Sequence, residues 1–242
     1  MKPYYQDSAV TIYQGDCQEI LPTLNQVDLV FTSPPYNLGN FAKGSFYDGK
    51  SKGQRLEYIS HDDSMSENEY IDWQHDLWNL WWSLLCDSGA IFYNHKPRVE
   101  GGVWNDRKNL VPYPIRQEIV WDRCCMVNFC GSFFASSSER IFIVCKDGWK
   151  PNQESVGFGE VWRIPPETNT PHPAPFPLKL AKMAIAGGCK SGGIVLDPFS
   201  GSGTSLRAAK DLNRKAIGIE IEEKYCEIAA NRMCQEVLEL KP

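Results

Sequence analysis

The sequence has no long hydrophobic run. Nowhere do ~18 apolar residues follow one another, the length a membrane-spanning helix needs. An N-terminal leader is not expected, because Asp7, Asp16, Glu19 and Asp28 interrupt the first 30 residues. No Cys-x-x-Cys pair occurs, and the nine cysteines, an odd number, are scattered. That argues against a disulfide framework and fits a reduced cytoplasmic protein with no membrane attachment, its cysteines serving as small packing residues. Four histidines without ligand spacing give no metal site. Basic residues are not in excess: 25 Lys and Arg against 30 Asp and Glu leave a net charge of −5. Proteins that coat nucleic acid indiscriminately are usually basic, so any such contact here requires a local basic face. Internal repeats and low-complexity tracts are also missing.

What remains is ordinary globular composition, 42% hydrophobic and 23% charged over 242 residues, which fits a single domain spanning 1–242. Strands are expected at Val10–Tyr13, Val27–Thr32, Gly89–Tyr93, Ile115–Trp121, Arg140–Lys146, Gly193–Leu196 and Lys215–Ile221. Helices are expected at Glu19–Leu24, Tyr70–Cys86, Leu178–Ala186, Thr204–Leu212 and Glu222–Leu238. Within 70–86, Tyr70, Trp73, Leu77, Leu80, Trp81, Leu84 and Leu85 follow one helical face, so the tryptophans there read as core rather than as a ligand cage. Segments 37–64 and 96–114 read as polar loops, and 147–171 as a proline-rich connector. Strands alternating with helices predict an α/β fold: a three-layer sandwich with a mostly parallel sheet and, from 115–121 and 140–146, an antiparallel hairpin edge.

Two segments carry chemistry. Residues 193–204 read GIVLDPFSGSGT: a buried strand ending at Asp197, a loop with Gly201 and Gly203, and a helix opening at Thr204. Glycines let a ligand approach the backbone, and a helix start offers free N–H groups to an anion. Seventeen residues beyond Gly203, Glu220 ends the next strand, where an acidic residue can grip ribose hydroxyls. The third glycine of a dinucleotide fingerprint is missing, since Leu206 stands there. A plain strand-to-helix turn would also read this way. The functional reading is an adenosine-containing ligand with a carboxylate in place of a pyrophosphate, and S-adenosyl-L-methionine fits. Residues 28–36 read DLVFTSPPY, a second buried strand that delivers Ser33, Pro34, Pro35 and Tyr36 to a sheet edge. Its bland reading is a strand-ending turn.

On these residues the chain resembles the DNA amino-methyltransferases, which methylate N4 of cytosine or N6 of adenine. VFTSPPY (30–36) is similar to the form typical of the N4-cytosine enzymes. The segment from Asp197 through Pro198, Phe199, Gly201, Ser202 and Gly203 to Thr204 looks like the family's cofactor loop, and Glu220 with Ile221 like its ribose-binding strand end. Asp16, after Gly15, looks like the turn near the cofactor adenine. His172, Pro173, Phe176 and Pro177 look like the segment that closes over the methionine end. Catalytic motif first and cofactor loop last is the permuted beta-class order of a Rossmann-like class I methyltransferase fold. The resemblance implies a flipped-out base in double-stranded DNA. Ser33 Oγ and the Pro34 carbonyl would accept its amino hydrogens, the two prolines would stiffen the corner, and Tyr36 would stack on the ring.

The chain lacks a Pro-Cys dipeptide, which argues against the C5-cytosine enzymes and their cysteine nucleophile. It departs from the beta class in leaving only 147–171 where a sizeable target-recognition region is usual. Lys43, Lys50, Lys52, Arg55, Lys96 and Arg98 are candidate phosphate contacts, with His95, Arg107 and Lys108 nearby in sequence; solvated surface charge is the alternative. Trp121 and Phe133 read as core rather than as base-pocket lining. Ser in the first motif position favours N4 of cytosine, with N6 of adenine as the alternative. RNA or a protein amide as substrate, or a module without turnover, are further readings. Monomer and homodimer, and partnership with a cognate restriction enzyme, a phage role or an orphan role, are all compatible with the sequence.

Overall fold

The computed structural model describes residues 2–37, 64–125, 134, 136–167 and 176–235. In chain order the strands are β1 (Tyr5–Gln6), β2 (Val10–Gln14), β3 (Val27–Thr32), β4 (Leu85–His95), β5 (Arg98–Glu100) and β6 (Val103–Asn105). Then come β7 (Gln117–Asp122), β8 (Ser138–Cys145), β9 (Val161–Arg163), β10 (Ile194–Asp197) and β11 (Lys215–Glu220). The helices are α1 (Cys17–Ile20), α2 (Glu67–Leu84), α3 (Leu178–Gly188), α4 (Thr204–Asp211) and α5 (Glu223–Cys234).

Among the described residues, nine strands form one sheet in the order β1-β2-β11-β10-β3-β4-β8-β7-β9, and β5 pairs with β6 apart from it. The five central strands, β2 to β4 in that order, run parallel. β8 is antiparallel to both β4 and β7. Alternation along each strand splits the core in two. Leu29, Phe31, Ala90, Phe92, Ile141 and Ile143 face α3, α4 and α5, while Val30, Ile91, Tyr93, Phe142 and Val144 face α2. This is the expected three-layer sandwich.

The winding fixes where a ligand can bind. From β10 the chain passes through α4, on one face, to β11. From β3 it passes through α2, on the other face, to β4. β10 and β3 are neighbours whose connections depart in opposite directions, so the crevice outside their carboxyl ends is the topological switch point. Close packing keeps the layers in register. A Cβ on Gly188 of α3 would stand 2.9 Å from Leu29 Cδ1 and 3.2 Å from Phe92 Cζ.

Several expectations are revised. α2 starts three residues before the expected Tyr70, because Ser66 and Glu69 form a reciprocal capping box. It passes without a linker into β4, which is longer than the expected 89–93. The expected helix at 19–24 is α1 followed by a tight turn, Leu21–Thr23. Segment 96–114 holds the β5–β6 hairpin, closed through Gly101 and Gly102, both at positive φ. Segment 147–171 is more than a surface connector: β9 pairs with β7, and Trp149, Trp162 and Ile164 are buried in the core. β1, β5, β6 and β9 run only two or three residues, too short for alternation to show.

Trp78 and Trp81 of α2 are fully buried between helix and sheet. Trp78→Ala is expected to lower the unfolding free energy by about 3–5 kcal/mol, read by urea titration with far-ultraviolet circular dichroism. A loss under about 1 kcal/mol would show that this helix face is not a packed core.

Candidate active site

The two chemical segments meet at the switch point. β3 and β10 pair in parallel, Leu29 opposite Val195 and Val30 opposite Leu196. One step further along, Thr32 Oγ1 donates to Asp197 Oδ1 at 2.9 Å. Ser33 and the glycine loop therefore leave adjacent strand ends. Asp197 also accepts from the Phe199 backbone N–H at 3.1 Å and from the Ser205 hydroxyl. Burial pushes its carboxyl up to about 6, against the pull of those three donors. Asp197, expected among the cofactor contacts, accepts from three of the fold's own donors and so holds strand, loop and helix together.

The loop after Asp197 is built for close backbone approach. Gly201 and Gly203 have φ of 48° and 77°, in the left-handed region that suits glycine. A Cβ on Gly203 would stand 2.9 Å from Ala229 Cβ, and one on Gly218 of β11 would stand 2.6 Å from Leu206 Cδ1. The loop thus lies flat between α5 and β11, with Ser200 bonded to the Ile219 carbonyl. Glu220 accepts from the Gly201 N–H and the Glu222 N–H, each at 2.9 Å. Burial, reinforced by the charges of Asp197 and Glu222, pushes its carboxyl up to about 7. Ile221 continues from it. The Gly15 N–H donates to the Glu220 carbonyl at 3.0 Å, which places Asp16, the cap of α1, beside this strand end.

The other loop residues are distributed around these. Pro198 and Ser202 are buried, and Phe199 packs edge-on against Trp73 and Trp81 of α2. Thr204 opens α4 as expected, its Oγ1 accepting from Arg232 at 3.0 Å. Phe176 lies 5.0 Å from the Phe31 ring, and buried Pro177 caps α3. His172 and Pro173 lie outside the described residues.

At the second corner three successive carbonyls are taken. Pro35 O accepts from the Tyr70 hydroxyl at 2.7 Å, and the carbonyls of Tyr36 and Asn37 accept from Arg98 Nη1. Among the described residues, no donor reaches the carbonyl of Pro34. Asn37 has φ of 56°, which turns the chain away from the strand. The Tyr36 ring lies 4.4 Å from His95, which is in turn bonded to Tyr70. Burial, with Arg107 and Arg98 adding to it, holds the His95 pKa well below its ordinary value, so the ring stays neutral.

Ser33 Oγ lies 2.7 Å from the Tyr36 hydroxyl. Asn94 Nδ2, from the end of β4, lies 2.8 Å from that hydroxyl and 3.3 Å from Ser33 Oγ. Glu139 at the start of β8 accepts from Tyr36 at 3.2 Å and from Asn94 at 3.0 Å, and is paired with Arg123 at 3.0 Å. Asn94, Glu139, Tyr70 and His95 were not among the expected catalytic residues. Each belongs to a strand or helix whose apolar neighbours explain it as core; the register across β3, β4 and β8 brings Asn94 and Glu139 to the Ser33–Tyr36 pair, and α2 brings Tyr70 to Pro35 and His95.

The expected phosphate contacts divide. Lys43, Lys50, Lys52 and Arg55 lie outside the described residues. Arg98 holds the carbonyls of Tyr36 and Asn37 and pairs with Glu67 at 2.9 Å, and Arg107, fully buried, joins the same carboxylate at 2.7 Å. Both are therefore engaged inside the fold. Lys108 is paired with Asp106 and Glu118. Lys96 is half-buried, which lowers its pKa, with the nearby Arg123 acting in the same direction. Trp121 is core, its indole donating to the Ile164 carbonyl at 2.8 Å. No group of three metal-ligating side chains occurs among the described residues.

Comparison with known proteins agrees with this geometry. The type II methyltransferase M.ScaI of Streptomyces caespitosus is 29% identical over 278 residues, covering 96% of this chain and 84% of that protein. M2.MboI of Moraxella bovis, also a type II methyltransferase, is 28% identical, covering 96% and 91%. The solved structure of the cytosine-N4-specific PvuII DNA methyltransferase superposes with a TM-score of 0.77 over 98% of this chain and 91% of that one, at 20% identity, a likeness of fold. TTHA0409 of Thermus thermophilus, complexed with S-adenosyl-L-methionine, gives 0.67 at 25% identity, covering 95% of each chain. The profile of the N6/N4 DNA methylases matches residues 27–231. The chain therefore belongs to that family of DNA methylases.

Proposed function

We propose that this protein methylates the N4 amino group of a cytosine flipped out of double-stranded DNA, with S-adenosyl-L-methionine as donor. The observation that carries the reading is the Thr32–Asp197 bond, which ties the acceptor corner to the glycine loop. Two features support the cofactor at this loop: Gly201 and Gly203 turn it at positive φ without side chains, and Glu220 presents a carboxylate at the neighbouring strand end. Gly201, Ser202 and Gly203 would hold the amino-acid end and Glu220 the ribose, with Asp16 toward the adenine and His172, Pro173, Phe176 and Pro177 closing the other side. When bound, the cofactor supplies a methyl group on a sulfonium centre.

The chain's own residues then have a defined task. An exocyclic amino nitrogen is a weak nucleophile because its lone pair is delocalised into the ring. Ser33 Oγ and the Pro34 carbonyl accept its two hydrogens, which favours a pyramidal nitrogen and frees the lone pair. This is catalysis by position and oriented dipoles. Tyr36, braced by His95, forms the aromatic wall on which the base stacks. Pro35 stays fixed by Tyr70, leaving the Pro34 carbonyl for substrate. Flipping the base costs about a few kcal/mol. Lys43, Lys50, Lys52, Arg55 and Lys96 are the proposed phosphate contacts, drawn from a chain that is acidic overall. Partnership with a restriction enzyme fits relatives named as type II methyltransferases.

Serine at position 33 favours cytosine; N6 of adenine is the second reading, since the acceptor chemistry is shared. Digesting methylated DNA to nucleosides and weighing the product separates them: N4-methylcytosine is expected, and N6-methyladenine alone would reverse the assignment. Ser33→Ala should lose roughly 10²–10³-fold in kcat while binding cofactor within about twofold of wild type. Wild-type turnover in that variant would remove Ser33 from the mechanism.

The raised Glu220 pKa adds a pH dependence. Below about 7 the free protein holds a proton on this carboxyl, and a protonated carboxyl is a poorer acceptor for ribose hydroxyls. Cofactor affinity should therefore rise with pH, roughly tenfold between pH 6 and 8, with proton release on binding in calorimetry near pH 7. Glu220→Gln should bind more weakly and without this dependence. If the dependence persists in that variant, it belongs to another group, Asp197 being the nearest raised carboxyl.

A further inference from the structure

We propose that Glu139 is a positioning residue that sets the direction of the Ser33 hydroxyl, acting through the Tyr36 hydroxyl. The inference rests on the reading of Ser33 as hydrogen-bond acceptor. A serine hydroxyl can donate or accept, and a hydroxyl that points its hydrogen at the incoming amino group would oppose the reaction. Something must turn that hydrogen away.

The hydrogen-bond inventory shows what does. Glu139 is a carboxylate that only accepts, with its Oε1 held by Arg123 at 3.0 Å. Its Oε2 lies 3.2 Å from the Tyr36 hydroxyl, and the single Tyr36 hydrogen goes there. The 2.7 Å contact between Ser33 and Tyr36 can then run only from Ser33 to Tyr36. The serine hydrogen is drawn inward; with Asn94 Nδ2 at 3.3 Å facing one lone pair of the oxygen, the other is left for substrate. Asn94 reinforces the pattern, with its Nδ2 lying 3.0 Å from Glu139 Oε2 and 2.8 Å from the Tyr36 oxygen.

The Asn94 amide carries a sign of constraint. Its Oδ1 is buried and has no hydrogen-bond partner among the described residues. Turning the amide over would set that oxygen against the Glu139 carboxylate, so the charge dictates the orientation. An unpaired buried acceptor is unfavourable, and it persists here because the two Nδ2 hydrogens are committed to the nearer acceptors, Tyr36 at 2.8 Å and Glu139 at 3.0 Å. The register makes the arrangement rigid, with Thr32 opposite Tyr93, Asn94 opposite Ile141 and Glu139 opposite Trp121.

The test is a double-mutant cycle on the full chain, with unmethylated phage DNA and tritiated S-adenosyl-L-methionine. Glu139→Gln removes the charge, and Tyr36→Phe removes only the connecting hydroxyl and leaves Glu139 on Arg123. Each is expected to lower kcat roughly 10- to 100-fold, with the KM for DNA and the calorimetric cofactor affinity within about twofold of wild type. If Glu139 acts through the hydroxyl, adding Glu139→Gln to Tyr36→Phe should cost less than about threefold more. Multiplying losses would mean that Glu139 supports the fold by another route and would overturn the proposal, as would wild-type kcat in Tyr36→Phe. Should Glu139→Gln fail to fold, shown by loss of its cooperative melt, Tyr36→Phe alone decides. Inactive Ser33→Ala beside fully active Glu139→Gln would sink this inference alone, whereas active Ser33→Ala would sink the acceptor reading with it.

Discussion

The site depends on one buried contact, the hydrogen bond from Thr32 to Asp197. A carboxylate that is 1% exposed is tolerable only with donors in place. Its donors come from three places: the end of β3, the start of the glycine loop and the first turn of α4. Satisfying one carboxylate therefore fixes where the catalytic corner, the loop and the helix start lie relative to each other. The parallel pairing of β3 with β10 brings the strand ends together, and the opposite departures of their connections leave the crevice open. The ligand proposed on the loop and the base proposed at Ser33 would share that crevice, because Asp197 ties both segments to it.

Much of this was legible in the sequence, for identifiable reasons. β3 matches its expected span because a buried parallel strand is a continuous apolar run, and Pro34 and Pro35 end it sharply. The glycine loop was readable because Gly201 and Gly203 stand where positive φ is needed. The strand pieces of two or three residues were not readable, because pairing rather than pattern creates them. The contacts of Ser33 were also hidden. Asn94 and Glu139 look like ordinary strand residues until β4 and β8 are set beside β3. Asp197 illustrates a different limit: its position in the motif is legible, while its bonds to Thr32, Phe199 and Ser205 need the fold to be seen.

Charge placement explains why an acidic chain can present a base-accepting corner. Several arginines are used inside the fold. Arg98 and Arg107 converge on Glu67, Arg123 on Glu139, and Arg214 on Glu154. The Glu67 pair matters most for the site, since Arg98 also carries the carbonyls of Tyr36 and Asn37. Guanidinium suits this task because its fork reaches a carboxylate and two carbonyls at once. Cations near the catalytic motif in sequence are therefore not automatically cations facing DNA, and the phosphate contacts proposed here fall chiefly on the lysines of 37–64.

A serine in the first position of the corner raises an electrostatic question that the geometry answers. A carboxylate touching the base would accept strongly, but the incoming ring would strip its water, and burying an unpaired charge is unfavourable. Here the negative charge lies one hydroxyl further back. Glu139 keeps Arg123 as a permanent partner, with side-chain exposures of 9% and 18%, so base entry does not change its pairing. Its influence reaches the substrate as hydrogen-bond direction, carried by Tyr36 to Ser33. Chains of hydrogen bonds polarise one another in a low-dielectric interior, so a neutral hydroxyl at the end of such a chain accepts better than an isolated one. The corner thus gains carboxylate character without exposing a carboxylate. In the proposed mechanism the same tyrosine serves two ends: its hydroxyl transmits the charge, and its ring, held against neutral His95, would offer the base a wall.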